Sequence, residues 1–192
     1  MRKRSRAVAL TILGAASFAI AGCREEQVDA QAFPDLNACL AAADEGGLFT
    51  ADECRQSFAE AEQLHVESAP RYDSLQVCEE QHGVGNCGSE DQQVSNGGSG
   101  SIFMPLLAGY LIGSMLGGGG LSRSQPMYRT PQGGYTNAAR TSTFSSNTGR
   151  AALNSSQFAR PAATVGQPPM SRATAASRGG FGSSAGSRSF GG

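Results

Sequence analysis

Apolar positions recur at helical spacing through residues 36–64. Leu36, Cys39, Leu40 and Ala43 stand at i, i+3, i+4 and i+7, one face of a helix that should stop at Gly46-Gly47. Thr50-Ala51-Asp52-Glu53 has the form of a capping box, in which the Thr hydroxyl and the Glu carboxylate each satisfy a free backbone N–H. Behind it Cys54, Phe58, Ala61 and Leu64 make the stripe of a second helix. A third, short helix is expected after Asp73 or Ser74, carrying Leu75 and Cys78 and stopping near Gly83. Two further apolar stretches, 7–22 and 102–116, lack this alternation with polar residues. The pattern predicts a small all-α disulfide-stapled domain over 31–88, built as a helical hairpin plus a short third helix. A glycine-spaced apolar helix over 102–120 and a disordered C-terminal tail over 121–192 should follow, with 23–30 as a tether and 89–101 as a polar linker.

The first apolar stretch changes the picture most. Arg2, Lys3, Arg4 and Arg6 precede it and small residues close it, the three-part layout of a secretory signal. Its sixteen residues would reach only about 24 Å as a helix, short of the roughly 30 Å hydrocarbon core, so a stable span is disfavoured. The ending Ile20-Ala21-Gly22-Cys23 resembles the lipobox of bacterial lipoproteins. That resemblance implies removal of residues 1–22, lipidation of Cys23 with acyl chains such as palmitate, and anchorage to a membrane leaflet. An Asp directly after the cysteine tends to retain such lipoproteins in the inner membrane. Arg24 stands there instead, which favours a periplasm-facing outer-membrane location.

With Cys23 assigned to lipid, Cys39, Cys54, Cys78 and Cys87 form an even set in an exported chain, read as two structural disulfides with pairing inside the local helical units. Closing the 39–54 loop contributes on the order of 3 kcal/mol. A zinc site using these cysteines with His65 and His82 is the weaker reading, because zinc motifs carry close cysteine pairs about two to four residues apart. No nucleophile pattern accompanies either histidine, and on acidic helices both are expected to be exposed. Asp44, Glu45, Asp52, Glu53, Glu60 and Glu62 read as a solvated face rather than as acid–base pairs. No catalytic, metal or cofactor site is predicted, and the chain is expected to be a non-enzymatic envelope protein.

Charge is divided along the chain. Residues 23–100 hold all 16 acids against Arg24, Arg55 and Arg71, a balance of −13, while residues 121–192 hold eight arginines and no acid. The latter segment is also 28 Gly, Ser or Pro in 72 residues and shows no apolar period, the basis for reading it as disordered. Its end, with Arg178 and Arg188 set among Gly and Phe, resembles RNA-binding segments. Export argues against nucleic acid and for an anionic envelope partner such as lipopolysaccharide, an acidic lipid surface, or the protein's own acidic domain. In the apolar segment Gly109, Gly113 and Gly117 repeat every four residues and would give a helix a smooth stripe for self-association or for insertion at a membrane interface. A small-ligand or polyamine receptor, with the acidic helices gathering cations, and a redox or metal-dependent enzyme built on the cysteine domain are the alternatives.

The lipobox, the four cysteines among acidic helices, the segment Phe103-Met-Pro-Leu-Leu-Ala-Gly-Tyr110 and the terminal Arg178-Gly-Gly-Phe-Gly182 together resemble the YgiB-type family of uncharacterised enterobacterial lipoproteins. The resemblance supports this architecture over nearly the whole chain. It implies no activity, substrate or catalytic residue.

Overall fold

The computed structural model describes residues 26–94, 99–114 and 122–178. Three helices form where the apolar spacing places them. α1 (Leu36–Asp44) is capped by Asp35, whose carboxylate accepts the Ala38 N–H. α2 (Ala51–Ser68) opens with both halves of the Thr50–Glu53 capping box. α3 (Leu75–His82) starts at Ser74 and ends at Gly83, whose φ of 88° suits a residue without Cβ.

The all-α expectation is nevertheless wrong. The chain is mixed α/β, and its centre is a curled six-stranded antiparallel sheet. The strands are β1 (Gln27–Phe33), β4 (Tyr110–Ser114), β5 (Ser122–Arg129), β6 (Tyr135–Asn137), β7 (Thr143–Phe144) and β8 (Gly149–Asn154). Their order is β7-β6-β5-β4-β1-β8. A two-stranded ribbon of β2 (Cys87–Ser89) and β3 (Phe103–Pro105), the short helix α4 (Glu90–Gln93), a 3-10 turn over 155–158 and α5 (Arg172–Ser177) complete the described fold.

The reading of 23–30 as a tether is therefore corrected, since Gln27 onward forms β1, an interior strand. Its period-2 pattern, with Val28, Ala30 and Ala32 buried, is that of a strand packed on one face. The apolar helix over 102–120 is corrected to β3 and β4. Both faces of β4 are buried: Leu111 joins Val28, Ala30, Ala32, Met127, Tyr135 and Phe158, while Tyr110 and Ile112 pack with Phe33, Phe49, Cys39 and Cys54 under α1 and α2. A strand covered on both sides shows no alternation, so its sequence does not announce it.

Of the stripe glycines, Gly109 has φ 140° and Gly113 lies under the Phe158 ring, where a Cβ would stand 2.6 Å from the ring edge. Both are packed inside the fold rather than displayed together on a helix. Gly117 lies outside the described residues.

The expectation of disorder from residue 121 is corrected as well. Residues 122–154 supply four strands, and the strongest reason they escape composition is that their buried positions include Ser124, Gln125, Thr136 and Asn137. Three of the four have side-chain partners: Gln125 donates to the Ala159 carbonyl, Thr136 to the Ser142 carbonyl and Asn137 to the Thr141 hydroxyl, while the Ser124 hydroxyl has none among the described residues. Between β7 and β8 only residues 145–148 intervene, so the two edges of the sheet approach each other. A cavity of about 310 Å³ lies there, with Ala30, Ala32, Leu111, Phe144, Ala151 and Leu153 in its wall.

Candidate functional site

The densest polar chemistry lies where the helices meet β5 and the turn after β6. His82 ends α3 and is wholly buried. Its Nδ1 is 2.9 Å from the Arg129 carbonyl, which can only accept, so the proton sits on Nδ1 and Nε2 is left as an acceptor. Tyr72 Oη, 3.0 Å away, donates to that nitrogen. Arg140 then reaches in from the other half of the chain, donating to Tyr72 Oη and, through Nη1, to Gln81 Oε1 at 3.1 Å. Arg140 has φ 57°, the left-handed region that non-glycine residues seldom occupy. The Asn137–Thr141 side-chain bond and the bond from the Thr141 N–H to Asn137 Oδ1 hold this turn, and so point its guanidinium at α3.

A second histidine continues the row. His65 Nδ1 is 3.2 Å from Tyr128 Oη, and the Tyr128 ring lies edge-on to His82 with centroids 6.1 Å apart. The exposed positions expected for both histidines are thus corrected, with His65 7% exposed and His82 fully covered. Burial is the principal cause of their shifted titration. Desolvation, with Arg140 adding repulsion, lowers His82 to about 3, and desolvation lowers His65 to about 4. Burial likewise raises Tyr72 to about 12, against the opposing pull of Arg140, and pushes Tyr128 up.

None of these four groups exchanges a proton near neutrality. Through their hydrogen bonds they tie the two halves of the chain together. The sign of the resulting pH dependence follows. Both folded-state values lie below the 6.5 of an unfolded histidine, so the unfolded chain takes up protons first as pH falls below about 6.5. Stability is full above that pH and is lost progressively towards pH 4 and 3, by up to roughly 1.4 kcal/mol per pH unit for each histidine. Denaturant midpoints should therefore be lower at pH 5 than at pH 7.5, and His65→Gln should flatten the dependence.

The opposite charges of the two halves also meet. Arg160 pairs with Glu67, and Arg172 pairs with Glu80 through two hydrogen bonds, one of them 2.9 Å from Nε. Arg150 donates to Gln31 and Arg129 lies 4.9 Å over the Tyr135 ring. Two of the eight arginines in residues 121–192, Arg160 and Arg172, thus pair with carboxylates of the protein's own acidic helices, one of the anionic partners the sequence suggests for this segment. Arg178 caps α5 and is exposed, with Nη1 3.7 Å from the Met170 sulfur. Arg188, like Cys23, lies outside the described residues.

Arg71 was missed as a structural residue, although it is one of only three arginines set against 16 acids in residues 23–100. It is 4% exposed and spends its guanidinium on Glu90 Oε1 at 2.6 Å, the Val66 carbonyl at 2.7 Å, Ala69 O at 3.3 Å and the Thr164 hydroxyl. The cysteines pair as Cys39–Cys54 and Cys78–Cys87, the pairing expected within local units. Among the described residues no group of three or more His, Cys, Asp or Glu could hold a metal ion, and no helix is long and apolar enough to cross a membrane.

Comparison with known proteins finds relatives in an uncharacterised group. The profile of a family described as "Protein of unknown function (DUF1190)" matches residues 27–192. A UPF0441 protein of Klebsiella pneumoniae strain 342 is 29% identical over 183 residues, covering 88% of this chain and 77% of that protein. A UPF0441 protein of Erwinia tasmaniensis is 30% identical over 128 residues, covering 63% and 55% respectively. No solved structure matches the chain. With β1 through α5 all inside the matched region, the chain belongs to the DUF1190 family of proteins of unknown function, the YgiB-type group of enterobacterial proteins.

Proposed function

We propose that this protein is a non-enzymatic lipoprotein of the cell envelope, tethered through Cys23 and presenting its folded domain directly at the membrane surface. The observation that carries the reading is the juxtaposition of Ile20-Ala21-Gly22-Cys23 with β1, which starts at Gln27. Four residues from the lipidated cysteine to an interior strand leave a tether of about 13 Å when extended, so the domain would rest against headgroups rather than range away from them. The exposed Arg178, with Arg188 farther along the chain, supplies positive charge for anionic lipid or lipopolysaccharide phosphate.

Cells fed labelled palmitate should incorporate it into the wild-type chain and not into Cys23→Ser, and fractionation should place the labelled protein in the outer membrane. Label retained by Cys23→Ser would sink the anchor. The mature chain should bind vesicles containing anionic phospholipid in preference to zwitterionic ones, and less so as salt rises, since exposed charges are screened beyond about 8 Å at physiological ionic strength. Undiminished binding by Arg178→Ala/Arg188→Ala would remove the role given to these arginines.

A further inference from the structure

Residues 159–178 form a strap that leaves the sheet after the 3-10 turn and runs across the helical layer to α5. Its attachments are few and mostly polar. The Thr164 N–H donates to the Glu67 carbonyl at 2.8 Å, and the Thr164 hydroxyl accepts from Arg71 while donating to Ala69 O. Met170 exchanges backbone bonds with Arg71 and Asp73, at 2.8 and 3.1 Å. Arg160–Glu67 and Arg172–Glu80 tie the two ends, but both arginines are 59% exposed, so solvent and salt weaken these pairs. Segments held in this way open locally more easily than a packed core.

What the strap covers is chemically distinctive. Ala175 and Met170 pack in one cluster with Tyr72, Val77, Phe103 and the Cys78–Cys87 disulfide. The other disulfide, Cys39–Cys54, has both sulfurs buried in the core between α1, α2 and the sheet, with nothing of the strap upon it. The two bridges thus differ in what must move before a thiolate can arrive.

We propose that Cys78–Cys87 is a thiol–disulfide exchange site whose access is gated by the 159–178 strap. When the strap lifts, a thiolate of a dithiol reductant attacks Sγ of Cys87, which is half-buried where Cys78 is fully covered. The Cys87–Cys78 bond breaks, and Cys78 leaves as a thiolate and takes a proton. The reductant's second thiolate then attacks the mixed disulfide and releases Cys87. Two electrons pass from the reductant, which ends as its own disulfide, to the protein, which ends with two thiols. The inference is independent of the anchor at Cys23.

The test exposes the folded full-length chain to dithiothreitol, quenches with an alkylating agent and follows each cysteine by mass spectrometry. Cys78 and Cys87 should be labelled well before Cys39 and Cys54. Arg172→Ala, an exposed change that leaves the core intact, should quicken the labelling of Cys78 and Cys87 by about two- to fivefold, the factor that corresponds to losing a weak ion pair. Raising salt on the wild-type protein should quicken it in the same direction, with Cys39 and Cys54 unmoved in both cases. A single common rate for both disulfides, or a rate for Cys78–Cys87 indifferent to Arg172→Ala and to salt, would overturn the gate.

Discussion

Arg71→Ala is expected to destabilise the protein by about 3–5 kcal/mol, the usual cost of removing one partner from a buried ion pair. The cause is less the lost attraction than what remains. Glu90, whose side chain is 12% exposed, would be left among the described residues with the Ser99 N–H, 3.1 Å from its Oε2, as its carboxylate's hydrogen-bond donor. The Val66 carbonyl would lose its guanidinium donor, and Thr164 would lose the bond that seats the strap. Chemical denaturation of the purified chain measures the loss directly. The double replacement Arg71→Met/Glu90→Met should recover much of it, because no orphaned charge is left behind. A loss below about 1 kcal/mol for Arg71→Ala would mean that the pair behaves as an exposed one.

Replacing Cys39 and Cys54 together by Ala should cost on the order of 3 kcal/mol, from the closure entropy of a loop of 15 residues. The bridge sits beside Phe33, Phe49 and Ile112, so the replacement also removes two packed sulfurs and leaves a looser α1–α2 hairpin against the sheet. A thermal or denaturant midpoint falling accordingly, with α-helical signal retained until unfolding, is the expected result. Removal of Cys78 and Cys87 should cost less, since that loop spans only 9 residues and lies under the strap rather than in the main core.

Opposite charge on the two halves is the thread connecting these effects. The acidic helices carry Glu67, Glu80 and Glu90, and the arginines that answer them come from Arg71 nearby and from Arg160 and Arg172 far along the chain. Arg140, reaching Tyr72 and Gln81, adds a third long-range tie that uses hydrogen bonds instead of an ion pair. The −13 balance of residues 23–100 is thus partly neutralised within the molecule, which lessens self-repulsion in the folded state.

Local interactions were legible in the sequence. Helix starts at Asp35, Thr50 and Ser74, the stop at Gly83 and both disulfide pairings depend on residues within a few turns of each other, and spacing reveals them. Even β1 carried its alternation in Val28, Ala30 and Ala32, though the nearby lipobox made it look like tether. What only the tertiary structure decided is everything that pairs residues far apart. β4 is apolar on both faces and so has no period, and its identity as a strand comes from β1 on one side and β5 on the other. β5 also buries Gln125, whose cost is offset by the Ala159 carbonyl, a partner 34 residues away that no local pattern names. His65 and His82 stand on helices that look solvated, and they are covered only because Tyr128 and the Arg140 turn arrive from more than fifty residues away. Composition made the C-terminal half look unable to fold alone. It folds because the acidic helices and β1 supply the surface, charge and hydrogen bonds that it lacks.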